Sequence, residues 1–107
     1  MPDNQVPEVE PQEAQNRIRA GAMLLDVRRQ DEFDEARIPG STLIVLDELQ
    51  TRLAELPRDR QIIVHCKSGG RSARAAAWLN SNGLDAVNMQ GGIDEWKQLG
   101  LEVEPGA

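Results

Sequence analysis

A chain of 107 residues is long enough for one hydrophobic core and too short for two, so a single domain over 1–107 is expected. Hydrophobic content of 39% and charged content of 28% exclude an extensively disordered chain, and a net charge of −6 disfavours non-specific nucleic-acid binding. One cysteine and one histidine exclude an internal disulfide and cannot form a usual zinc site, so no metal is expected.

Met1-Pro2-Asp3-Asn4-Gln5 has neither the basic start nor the apolar run of a secretion signal. No apolar run approaches the roughly 20 residues that cross a membrane, so the expectation is a soluble cytoplasmic protein. Residues 1–8 read as a loose polar end leading into a short edge strand near Val6–Val9. Pro11 suits the first position of a helix and Gly21 its C-terminal cap, with Ala14 and Ile18 forming a thin apolar stripe. Met23-Leu24-Leu25-Asp26-Val27 predicts a buried strand, followed by a short helix anchored by Phe33. Ile38-Pro39-Gly40 predicts a turn, and Thr42-Leu43-Ile44-Val45-Leu46 another strand. Asp47 reads as the N-cap of a helix that carries Leu49, Leu53 and Leu56 on one face and ends at Pro57.

Arg58-Asp59-Arg60 is an exposed turn before Ile62-Ile63-Val64, a β-branched run suited to a strand covered on both faces. Gly69 and Gly70 allow a sharp turn, and the run from Ser72 through Ala77 to Leu79 forms a helix ending near Asn82-Gly83. Asp85-Ala86-Val87-Asn88-Met89 is a last short strand. Gly91-Gly92 then turn into a helix carrying Ile93, Trp96 and Leu99 that closes at Gly100. Strands alternating with helices predict an α/β fold: three layers, with a mostly parallel central sheet and helices on both faces. Ligands of such sheets bind beyond the carboxyl ends of the strands.

Cys66 sits at such an end, facing a helix N-terminus, where a thiolate is stabilised below the ordinary thiol value of about 8.5. Main-chain N–H groups of the following loop can form a nest for negative charge. Gln61 to Leu84 contains no Asp or Glu, although the chain has 18, and it carries Lys67, Arg71 and Arg74. An electropositive mouth around the thiol is therefore expected. A merely structural buried thiol would leave the glycine-and-cation loop without a purpose. His65 suggests a Cys–His pair, but adjacent strand residues point to opposite faces, so it reads as a strand histidine. Trp96 reads as core.

Cys66-Lys67-Ser68-Gly69-Gly70-Arg71-Ser72 resembles the active-site loop of single-domain rhodanese-like sulfurtransferases. Leu24-Leu25-Asp26-Val27-Arg28 with Glu32-Phe33, then Ile38-Pro39-Gly40, then Gln90-Gly91-Gly92-Ile93 with Trp96 resemble the family's other signatures, in the same order. The chain departs from the family where Ala36-Arg37 replace a common Gly-His, and where Leu43 and Val45 stand for an Asn and a Pro. The resemblance implies the three-layer rhodanese-like fold and transfer of sulfane sulfur through a Cys66 persulfide. The persulfide's charge would be held by Lys67, Ser68, Gly69, Gly70, Arg71 and Ser72. It implies no cofactor, a small anionic donor such as thiosulfate, and a cyanide or thiol acceptor, which can include a protein acceptor of sulfur. Asp26 and Arg28 are candidates for a supporting role beside the loop. Two readings exist for them: an ion-pair framework in which Arg28 meets Glu32 one helical turn on, or contact of Arg28 with substrate. The alternatives from other classes are a low-molecular-weight cysteine phosphatase and a non-catalytic rhodanese-like binding module.

Overall fold

The computed structural model describes residues 6–105. The expected loose end over 1–8 therefore lies outside the described residues for 1–5, and of its remainder Glu8 already enters the sheet. Strand β1 (Glu8–Val9), β2 (Met23–Asp26), β4 (Thr42–Leu43), β5 (Ile62–His65) and β6 (Ala86–Met89) form one sheet in the order β1-β6-β5-β2-β4. Every pairing within it is parallel. Strand β3 (Ala36–Arg37) pairs antiparallel with β7 (Glu104–Pro105) in a separate two-stranded ribbon. The helices are α1 (Pro11–Arg19), α2 (Gln30–Glu35), α3 (Gly70–Ser81) and α4 (Gly92–Gln98). Among the described residues no helix is long and apolar enough to cross a membrane.

Strand β5 lies at the centre, and all four of its residues are buried. Their alternation sorts the core into two halves. Ile62, Val64 and Cys66 pack with Leu25, Val27, Ala75, Ala76 and Leu79 on the α3 side. Ile63 packs with Ala14, Leu24, Val87, Ile93 and Trp96 on the side of α1 and α4. Three layers with helices on both faces follow from a central strand that is apolar on both sides. Alanine at 75 and 76 lets α3 lie close to the sheet.

Four expected details differ. Instead of one helix from Asp47, the chain forms two 3-10 turns, Leu46–Glu48 and Leu53–Glu55. Asp47 lies inside the first turn and caps nothing, because its N-cap position is held by Val45. The Thr51 hydroxyl donates to the Glu48 carbonyl at 3.0 Å, competing with a continued helical ladder. Leu49 and Leu56 are nevertheless buried, as the apolar spacing requires. The strand after the Ile38 turn is only two residues long, although Ile44 N–H still donates to the Asp26 carbonyl at 3.0 Å. Phe33 is not a core anchor: α2 buries no residue, and the Phe33 ring instead lies under the Arg37 guanidinium at 4.7 Å. Leu99 is 46% exposed and adds nothing to the buried side of α4, which ends one residue earlier.

Truncation of the central strand should therefore be far more damaging than truncation at the rim. Ile63→Ala is expected to cost about 2–5 kcal/mol in urea unfolding, and Leu99→Ala less than about 0.5 kcal/mol.

Candidate active site

Strand β5 delivers Cys66 to the carboxyl edge of the sheet, where the loop 67–69 curls back over the sulfur before α3 begins. Gly69 makes the reversal at φ 116°, in the left-handed region that favours glycine. Two main-chain groups then point at the sulfur: Gly69 N–H donates to Cys66 Sγ at 3.1 Å and Ser72 N–H at 3.4 Å. Ser72 Oγ stands 3.4 Å from the same sulfur. Burial pushes the Cys66 thiol up, but the Ser72 hydroxyl and the N–H groups of Ser72, Gly69 and Ser68 together outweigh it. The net result is a thiol below its ordinary value.

The loop is fixed from beneath by α4. Ile93 N–H donates to the Cys66 carbonyl at 2.9 Å and Asp94 N–H to the Lys67 carbonyl at 3.1 Å, which uses free donors of the helix's first turn. This approach requires glycine at 92, where a Cβ would stand 2.5 Å from the Lys67 carbonyl oxygen and closer still to that of Cys66. Gly70 is the first residue of α3, and Ser68 is exposed at the loop's outer turn.

The expected electropositive mouth is corrected by the tertiary pairing. Lys67 pairs with Asp94 at 2.9 Å, and Arg71 makes a bidentate pair with Glu32 at 2.8 and 3.0 Å. The local sequence around the thiol is free of acids, but α2 and α4 bring acids to it. Arg71 is still close enough for the sulfur to contribute to its raised pKa, behind the larger effect of Glu32. In return the Arg71 guanidinium holds the Glu32 carboxyl down at about 2. Arg74 is exposed and makes no ion pair among the described residues.

Arg28 does not meet Glu32. Its guanidinium donates to both carboxylate oxygens of Asp26, at 2.8–3.0 Å, and to the Ala36 carbonyl at 2.7 Å. Both side chains are buried, so Asp26 and Arg28 form a closed ion pair that ties the end of β2 to β3. Glu32 lies on the adjacent helix α2 and turns to α3 instead. Arg37, at a family departure, pairs with Glu104 across the β3–β7 ribbon at 3.3 Å.

His65 points away from the sulfur, as strand alternation requires. Its Nδ1 is 3.3 Å from the Cys66 carbonyl, and Nε2 is 3.6 Å from Asp26 Oδ2 without a hydrogen bond. Burial lowers its pKa against the opposing pull of Asp26, so the ring is neutral near pH 7. Trp96 is core, with its indole N–H donating to the Glu102 carbonyl at 2.7 Å.

Two residues at the site were not legible locally. One is Glu32 as the partner of Arg71, 39 positions away. The other is Asn88, buried in β6 and bonded to Ser72 and Gly69. Its signal was a lone amide among Ala86, Val87 and Met89, since a buried polar group must find partners. Beside the loop a cavity of about 460 Å³ is lined by Arg28, Glu32, Lys67, Asp94 and Lys97, among others.

The model of the rhodanese-like domain matches residues 10–99. A sulfurtransferase of Allochromatium vinosum is 34% identical over 82 residues, covering 76% of this chain and 77% of that protein. A crystal structure of a rhodanese-related protein from Thermoplasma volcanium superposes with a TM-score of 0.87 at 33% identity, over 92% of this chain and 97% of that one. A thiosulfate sulfurtransferase from Pseudomonas aeruginosa gives a TM-score of 0.86 at 30% identity, over 95% of this chain but 21% of that one. Some curated relatives are likewise much longer, and the chain spans 25% of one of them.

Because Arg71 lowers the folded-state pKa of Glu32, this carboxylate stabilises the fold above its unfolded value, near 4.5, and that contribution is lost as pH falls toward about 2. Acid titration of stability should therefore be flatter in Glu32→Gln than in the parent across this window, as read by urea unfolding at stepped pH.

Proposed function

Since this chain belongs to the family of rhodanese-like domains and resembles sulfurtransferases along most of its length, we propose that it moves sulfane sulfur through a persulfide on Cys66. The observation that carries this reading is the ring of N–H donors converging on one sulfur at the carboxyl end of β5. Such donors favour the charged form of whatever sulfur they surround, first the thiolate and then the terminal sulfur of the persulfide.

The chemistry balances without a cofactor. The Cys66 thiolate attacks the outer sulfur of thiosulfate, a new S–S bond forms, and the old one breaks with its electron pair leaving on sulfite. Cyanide or an acceptor thiolate then attacks the outer sulfur of the persulfide. Thiocyanate or a new persulfide departs, and the Cys66 thiolate returns. Cys66 is 1% exposed, so the reading favours a donor whose reacting atom is slim and terminal. Lys67, Ser68, Gly69, Gly70, Arg71 and Ser72 are assigned to the anion-holding loop, with Arg71 shared between the sulfur and Glu32. Asp26 and Arg28 are assigned a framework role. A protein carrying an exposed thiol is a compatible acceptor, its thiolate taking the outer sulfur as a new persulfide. A cytoplasmic setting suits a single thiol that must stay reduced between turnovers.

Phosphate-monoester chemistry fits less well. Four residues separate Cys66 from Arg71, which makes a tight ring for one sulfur. A phosphatase also needs an acid to protonate the departing alcohol. Glu32, the acid nearest Arg71, is held at about 2 and stays ionised. A purely binding role would leave the sulfur-directed donors without use.

Incubation with thiosulfate should add about 32 daltons to the intact mass, lost again on adding cyanide, and Cys66→Ser should show no gain and no thiosulfate-to-cyanide transfer. Transfer by the serine variant within tenfold of the parent would overturn the assignment. Freeing Lys67 with Asp94→Asn should lower KM for thiosulfate by roughly two- to fivefold, the worth of a surface ion pair, with kcat unchanged.

A further inference from the structure

Asn88 is 2% exposed in an otherwise apolar strand, a position where an amide is costly unless every group is bonded. Its Nδ2 faces two groups that cannot donate, the Glu8 carboxylate at 3.0 Å and the Gly69 carbonyl at 3.4 Å. The amide orientation is thereby fixed, with Oδ1 toward Ser72, and Ser72 must donate to it at 2.5 Å. A hydroxyl has one hydrogen. Ser72 Oγ also lies 3.3 Å from the Gly69 carbonyl and 3.4 Å from Cys66 Sγ, so its one hydrogen is shared, and the shorter contact to Asn88 takes the larger part. The N–H groups of Gly69 and Ser72 donate to the sulfur whichever way the hydroxyl turns, and Asn88 grips both of these residues, one by its carbonyl and the other by its hydroxyl.

We propose that Asn88 is a positioning residue for the sulfur chemistry: from β6 it clamps Gly69 and Ser72 so that their N–H groups stay aimed at the Cys66 sulfur. The proposal rests on the sulfurtransferase reading and deepens it. Of the charged groups around the loop, Arg71 senses the sulfur and is paired with Glu32, Glu8 is bonded to Asn88, and Lys67 and Asp94 pair with each other at the surface; His65 faces the other side of the sheet and is neutral. Asn88→Ala changes none of these charges, and the Ser72 hydroxyl that it frees can only lower the midpoint, so a raised midpoint reports the lost aim of the N–H groups.

The test is ultraviolet titration of the thiolate, which is unambiguous in a chain with one cysteine and needs no sulfur donor. In Asn88→Ala the midpoint should rise by about one pH unit, leaving about tenfold less thiolate at neutral pH. In thiosulfate-to-cyanide transfer kcat should fall by about the same factor with KM within twofold. A folded Asn88→Ala protein whose midpoint stays within about 0.2 units of the parent, or falls, overturns the proposal, whatever happens to its melting temperature. If Asn88→Ala does not fold, Asn88→Ser, which keeps a polar group but cannot span both partners, is judged by the same criterion. Intact mass after thiosulfate separates the two claims: a moved midpoint with no persulfide in the parent would sink the sulfur-transfer reading and leave the positioning role standing.

Discussion

The constraint on which the site depends is that a buried sulfur at the edge of this sheet must be stabilised by oriented N–H donors. Gly69 and Ser72 N–H groups supply the stabilisation, and they can do so only because the chain reverses through a positive φ at Gly69. The surrounding elements serve that reversal. Strand β5 presents the sulfur, α3 begins where the loop ends, and α4 ties the Cys66 and Lys67 carbonyls from below through Ile93 and Asp94. Backbone dipoles fixed in advance need not reorganise when charge arrives, which is the general advantage of such a cradle.

Side-chain charge plays a more restrained part. The site's cations are nearly all answered: Arg28 by Asp26, Lys67 by Asp94 and Arg71 by Glu32. Arg71 is the one that stands near both the sulfur and Glu32. Glu32 orients the guanidinium bidentately and also dilutes its charge, so an incoming anion must compete with a carboxylate already in place. The loop of this acidic protein thus presents oriented N–H groups rather than an unopposed positive field. Buried Asp26 and Arg28 act at a distance, closing the end of β2 against β3.

Much of this was readable in the chain. The β-branched run at 62–64 identified the central strand because only a strand covered on both faces is apolar without interruption. Pro11 and Gly21 marked the bounds of α1 through their own backbone preferences, and Pro39-Gly40 marked a turn. Cys66 stood out by uniqueness and by its loop. What failed was of two kinds. Short apolar spacings overstated helicity at Asp47 and packing at Phe33 and Leu99, where a few contacts with distant segments decide the outcome. Pairings across the fold left little local trace: Arg71 with Glu32 had none, and Asn88 showed only a lone amide in an apolar strand that did not say which partner it finds. The acid-free segment was a true local fact with a misleading implication, since the neutralising carboxylates arrive from α2 and α4.

The central claim, that the loop holds Cys66 as an anion despite burial, is tested most directly by titrating the parent protein's thiolate absorbance. The midpoint should lie below the ordinary thiol value of about 8.5. A midpoint at or above that value would mean that burial outweighs the N–H donors, and the cradle would then have no electrostatic function.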